Sequence, residues 1–154
     1  LTEEAAARLN YMISESELIA ALDAVMDGGS DTVFTAELER AKRDGVVSAE
    51  RIREAELNWR LYRINLIAAD EDWTAAYEAV ESAISEMGYD PQLEKARRIY
   101  LSNRKAVLYN AAADAFNARR LDEAQSLVEA ALREFPGDRN FQNLLRMIER
   151  ARTE

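Results

Sequence analysis

Two twelve-residue segments, WTAAYEAVESAI at 73–84 and LDEAQSLVEAAL at 121–132, align without a gap and place similar side-chain sizes at matching positions. Trp73 meets Leu121, Ala76 meets Ala124, Val80 meets Val128, Ala83 meets Ala131 and Ile84 meets Leu132, at a constant offset of 48 residues. Alanines seven residues apart share one face of a helix, two turns from each other. Helix propensity accounts for alanine at any helical position. It does not account for the order large–small–large recurring in register. A crossing point, where a second helix backbone approaches closely, does. The sequence therefore predicts a repeated helix-on-helix contact.

Helix punctuation agrees. Asp90-Pro91 offers an N-cap followed by proline at the first helical position, where a missing N–H costs least. Asp72 caps the segment from Trp73, and Pro136-Gly137-Asp138 stops one helix and caps the next. Between these signals, Tyr77, Val80, Ala83 and Ile84 form one apolar stripe, and Leu127, Val128, Ala131 and Leu132 another. The first half is less regular. A helix is expected over about 3–27, and Ser14 with Glu17 fits a capping box that leaves open a split in it. Gly28-Gly29-Ser30 breaks the chain, a short helix over 33–44 ends at Asp44-Gly45, and Ser48 caps a longer one carrying Ile52, Ala55, Trp59, Tyr62 and Leu66. Val46-Val47 is too short for a strand. Five glycines and two prolines in 154 residues leave little turn material. The expectation is an all-α fold of about six to eight helices.

The recurring pattern resembles the second helix of the tetratricopeptide repeat. The C-terminal copy supplies Leu121, Ala124, Val128, Ala131 and Pro136, with Asp122-Glu123 ahead of the first alanine. The segment before it, VLYNAAADAFNARR, resembles the family's first helix through Tyr109-Asn110, Ala112 at the usual glycine position, and Phe116. The match extends over 107–136 and, with less detail, over 56–88; no third copy is found in 1–50. Met87-Gly88 stand where the middle copy's proline belongs, and the spacing of 48 exceeds the family's repeat of roughly 34 by about four helical turns. The excess falls in PQLEKARRIYLSNRKAV, extending the last repeat's first helix backwards through most of 91–118. The resemblance implies antiparallel helix-pair repeats stacked as an α-solenoid, a right-handed superhelix. On this reading 1–154 is a single helical domain, with irregular helices over 1–47, a divergent repeat over 48–90, a repeat with extended first helix over 91–136 and a capping helix over 137–154. Phe141, Leu144, Leu145 and Ile148 would face the last repeat, leaving Arg146, Glu149 and Arg150 outside, since terminal repeats need a polar outer face.

Composition narrows the chemistry. Hydrophobic residues make up 48% and charged residues 32%, which reads as globular, and there is no cysteine or histidine. Thiolate nucleophiles, disulfides, the usual zinc sites and an imidazole base are excluded. Glu50, Glu54, Glu78 and Glu81 flank apolar stripes as solvated charges, and no catalytic residue, metal ligand set or cofactor motif is identified. DGGSDTVFTAEL from Asp27 fails as a calcium loop, because Gly29 takes the third ligand position, Thr32 that of the required glycine and Leu38 that of the closing glutamate. The net charge is −9, concentrated in residues 1–50, which carry four basic and eleven acidic side chains. That balance disfavours nucleic acid as a partner. No apolar run approaches the roughly 20 residues of a membrane span. The chain starts at Leu1, leaving localisation open between the cytoplasm and, with a signal removed, the periplasm.

What the resemblance implies is a concave groove, lined by first helices, that holds a peptide or helix of a protein partner. Carried over by position, Asn58, Leu61, Tyr62 and Asn65 line it from the middle copy, and Ala106, Tyr109, Asn110, Ala113 and Asn117 from the last. Asparagine amides suit an extended backbone, and tyrosine gives flat contact area with a polar tip. The family's carboxylate-clamp version is not expected, because Leu61 stands where a clamp lysine belongs. A second surface is EKARRIYLSNRK, with five basic residues and one acidic, where Lys95, Arg98 and Lys105 would meet an acidic partner. The alternative function is a self-associating structural domain, its groove filled by its own N-terminal helices or by a second copy.

Overall fold

Short side-chain caps set most of the helix boundaries. In the computed structural model, which describes residues 2–154, the described residues form seven helices and no strand. No helix among them is long and apolar enough to cross a membrane. The chain separates into two compact units, Leu1–Asp70 and Glu71–Glu154.

The first unit holds α1 (Glu3–Met26), α2 (Asp31–Asp44) and α3 (Ala49–Ala69). Thr2 Oγ1 accepts from Ala5 N at 3.1 Å, and Glu3 and Glu4 sit in the first turn, where the helix dipole favours negative charge. The capping box at Ser14 is not used. Helix α1 runs through it unbroken, with Ser14 buried and its carbonyl accepting from Arg40 Nη2 at 3.4 Å. At the other end Gly29 N donates to Ala24 O at 2.9 Å. A Cβ on Gly29 would lie 2.6 Å from that same oxygen, so only glycine fits the turn. Ser30 and Ser48 cap α2 and α3, and Gly45 closes α2 in the left-handed conformation. Helix α2 begins two residues earlier than the sequence suggests, because the Ser30 side chain caps it by accepting from Thr32 N.

Leu18, Ala21, Leu22 and Val25 of α1 meet Phe34, Leu38 and Ala41 of α2, Val47, and Ile52 and Ala55 of α3 in one core. Trp59 closes it, its ring 5.3 Å from Phe34 and its Nε1–H donating to Asp31 Oδ1 at 2.8 Å. Arg63 reaches the other Asp31 oxygen at 2.5 Å and lies over the Trp59 ring. Arg40 pairs with Glu37 at 2.8 Å, Asp44 at 3.0 Å and Glu17 at 3.6 Å. The hydrogen bonds it donates to Glu37 foremost, reinforced by Asp44 and Glu17 against some desolvation, lift its guanidinium above the ordinary arginine range.

The second unit holds α4 (Trp73–Met87), α5 (Pro91–Asn117), α6 (Leu121–Glu134) and α7 (Arg139–Thr153). Asp72, Asp90 and Asp138 cap α4, α5 and α7 through their carboxylates. The residues in the repeated register are sealed. Ala76, Val80, Ala124 and Val128 are fully buried, and Ala83 and Ala131 nearly so. The register extends to the backbone. Among the described residues, Glu71 and Arg119, 48 residues apart, are the non-glycine residues with positive φ, at 58° and 63°, each two positions ahead of its helix.

The 27-residue α5 packs against both α4 and α6, while α7 covers α6 and touches α5. The first turns of α5 serve α4: Tyr100 stacks on Trp73 with ring centroids 6.0 Å apart, and Arg97 Nε lies 2.5 Å from Glu81. Its last turns place Ala112 and Ala115 in the core with Ala124, Val128, Ala131, Phe141, Leu144 and Ile148. The extra turns that separate the two copies are therefore the turns that pack on α4.

Candidate functional site

Each set of residues singled out in the sequence is placed within its own unit. In the first unit, Asn58 and Asn65 are exposed on α3, while Leu61 and Tyr62 are half-buried. Tyr62 packs against the core beside Trp59. Asn58 lines a small depression of about 80 Å³ with Glu15, Ile19 and Arg51, and Tyr62 lines another of about 350 Å³ with Asp31, Arg63 and Leu66. These residues do not converge on one pocket.

In the second unit, Tyr109 turns inward. Its ring lies 6.1 Å from Phe141, and it belongs to the core cluster of α5, α6 and α7. Asn110 and Asn117 are exposed. They belong to a line of which the sequence reading names Ala106, Asn110, Ala113 and Asn117 but not Ile99 and Asn103: Ile99, Asn103, Ala106, Asn110, Ala113 and Asn117. The steps are four, three, four, three and four residues, so the six side chains form one stripe about 27 Å long down α5. Ala113 and Asn103 are half-buried and the other four are exposed. Asn103 was passed over because it lies within the segment read as basic. Its seven-residue spacing to Asn110 was the available signal.

The basic segment is largely consumed by the fold. Arg97 pairs with Glu81 and Glu94, and the hydrogen bonds it donates, to Tyr77 foremost and then to Glu81 and Glu94, hold its guanidinium above the ordinary range. Arg104 grips the Glu134 carboxylate with both terminal nitrogens, Nη2 at 3.0 Å, and sits over the rings of Tyr77 and Phe135. Lys105 lies 3.5 Å from Asp138 and 4.7 Å from the Phe135 ring centroid. It is thus fixed at the α6–α7 corner. Lys95 and Arg98 remain exposed and line a shallow depression with Ile99, Ser102 and Asn103 at the start of the asparagine stripe.

At the stripe's other end, Phe116, Asn117, Met147 and Arg150 border a depression of about 360 Å³ between α5 and α7. One continuous face of α5 therefore runs from two cations and an isoleucine, along asparagines separated by alanines, to a partly apolar hollow. Alanine admits another backbone closely, and each asparagine offers two N–H donors and a carbonyl acceptor. Among the described residues, no group of three or more carboxylates is placed to hold a metal ion. No family model, curated protein or solved structure matches the chain.

Proposed function

We propose that this chain is a non-catalytic, tetratricopeptide-like scaffold, and that the face of α5 from Ile99 to Asn117 holds a helix or extended peptide of a protein partner. The observation that carries the reading is the asparagine–alanine stripe: polar groups that hydrogen-bond a main chain, spaced by side chains small enough to let it approach. Lys95 and Arg98 at one end favour a partner with acidic residues at that end. The stacking of α4 to α7, with Ala76, Ala83, Ala124 and Ala131 at the buried contacts, supports the repeat architecture.

The test is selection of peptides from a displayed library on the full chain, followed by NMR mapping with labelled asparagine side chains. Binders should shift the amides of Asn103, Asn110 and Asn117. Asn110→Ala should weaken them by about 1–3 kcal/mol, with the melting curve unchanged. Replacing Lys95 and Arg98 by Glu should weaken acidic binders, less so as salt rises. Binders that map elsewhere would remove this face from consideration.

A further inference from the structure

The side chains of Asn103, Asn110 and Asn117 make no hydrogen bond to any described residue. Each lies seven residues from the next, about 10.5 Å along the axis, on the side of α5 opposite buried Ala112 and Ala115. Ile99, Ala106 and Ala113 alternate with them at steps of four and three. That is the seam of a coiled coil, here with asparagine at every polar position and alanine at two of the three apolar ones. Ile99 at its head and Val107 on its flank are 46% and 54% exposed.

We infer that the occupant of this face is an α-helix lying along α5, with a hydrogen-bonding side chain at every seventh position and large apolar side chains between. The inference rests on the peptide-binding reading and narrows it. The period decides against an extended occupant. A strand returns to one face about every 6.7 Å and a polyproline helix about every 9.3 Å, so neither keeps step with asparagines about 10.5 Å apart. Another helix keeps step at all three. Its main-chain groups are already bonded internally, so Asn, Gln, Ser or Thr side chains must meet the asparagines. An apolar side chain there would leave each amide desolvated and unpaired. Opposite Ala106 and Ala113 the small methyl leaves room, which Leu or Ile of the partner fills. Lys95 and Arg98, exposed and in no ion pair among the described residues, flank Ile99, so acidic residues of the partner helix lie at that end. A second copy of α5 fits worse. In register and parallel, it opposes Lys95 and Arg98 to themselves. Antiparallel, it sets Asn103 against Ala113 and Asn110 against Ala106, leaving the amides unpaired.

The experiment is selection on the full chain from two displayed pools, helical peptides of about 21 residues randomised along one face and linear peptides of about nine. Binders are located by NMR of labelled asparagine side chains. Those on Asn103, Asn110 and Asn117 should come from the helical pool and carry the polar seventh-position repeat alternating with Leu or Ile. Proline at the centre of such a peptide should raise its dissociation constant at least tenfold. Asn110→Leu should weaken the same peptide at least tenfold, and leucine at the facing peptide position should restore binding. Asn110 is exposed, and unchanged circular dichroism confirms the fold of the variant. Linear binders on the asparagines, or a helical binder indifferent to the central proline, would overturn the helix while leaving peptide binding at this face intact. Helical binders with apolar residues facing all three asparagines would overturn the polar repeat. Binders that map elsewhere, or none at all, would overturn both readings. A chain that dimerises through Asn110 would assign the face to a second copy instead.

Discussion

Ala76 and Ala124 occupy matching buried positions on α4 and α6, with no exposed surface. Leucine at either site must push neighbouring side chains or backbone aside, so Ala124→Leu and Ala76→Leu should each lower stability by about 1–3 kcal/mol in denaturant melts. A neutral result at both would refute the matched packing. These alanines were legible because the same sizes recur at one offset. The left-handed Glu71 and Arg119 were not, since neither glycine nor asparagine marks the position. A left-handed conformation costs a residue with a Cβ about 1–2 kcal/mol, and glycine escapes that cost. Arg119→Gly should consequently leave the chain as stable or raise its stability by up to about 1 kcal/mol, read from the same melts. A loss of stability would show that the Arg119 side chain matters more than its backbone.

At the level of whole helices, the boundaries read best were those fixed by contacts two or three residues away. Ser48, Asp72, Asp90 and Asp138 all cap as their positions imply. The split left open at Ser14 does not occur, because contacts from α2 that no local pattern reveals bury that residue within one continuous helix. The candidate site was half legible for the same reason. Asn110 and Asn117 are exposed as their helical phase suggests, whereas the destination of Tyr109 depends on Phe141, distant in sequence. Lys105 likewise depends on Asp138. Arg104 shows most clearly what such partners contribute, because it leaves α5 to hold Glu134 of α6 while covering Tyr77 of α4. Arg104→Ala should cost about 1–3 kcal/mol, through the loss of the bidentate pair and of packing against two rings. A double-mutant cycle with Glu134→Gln isolates the ionic part. Coupling indistinguishable from zero would assign the whole effect to packing.

For the molecule as a whole, the division after Asp70 gives each unit its own core, one built around Phe34 and Trp59, the other around the alanine contacts and Phe141. Calorimetry of the full chain should therefore show two transitions, or a van't Hoff enthalpy well below the calorimetric one. Equal enthalpies in a single transition would show that the units melt as one. Within the second unit, the reach of α5 has a mechanical consequence. A helix of 27 residues is about 40 Å long, and neither glycine nor an internal proline interrupts it. It behaves as a stiff lever. Tilting its first turns by roughly 5° swings the far end through about 3.5 Å, more than half a helical pitch. Because Ala112 and Ala115 near that end are packed against α6 and α7, a tilt imposed at Leu93 and Tyr100 has to carry those helices with it, so bending α4 away from α6 is resisted along the whole length of α5.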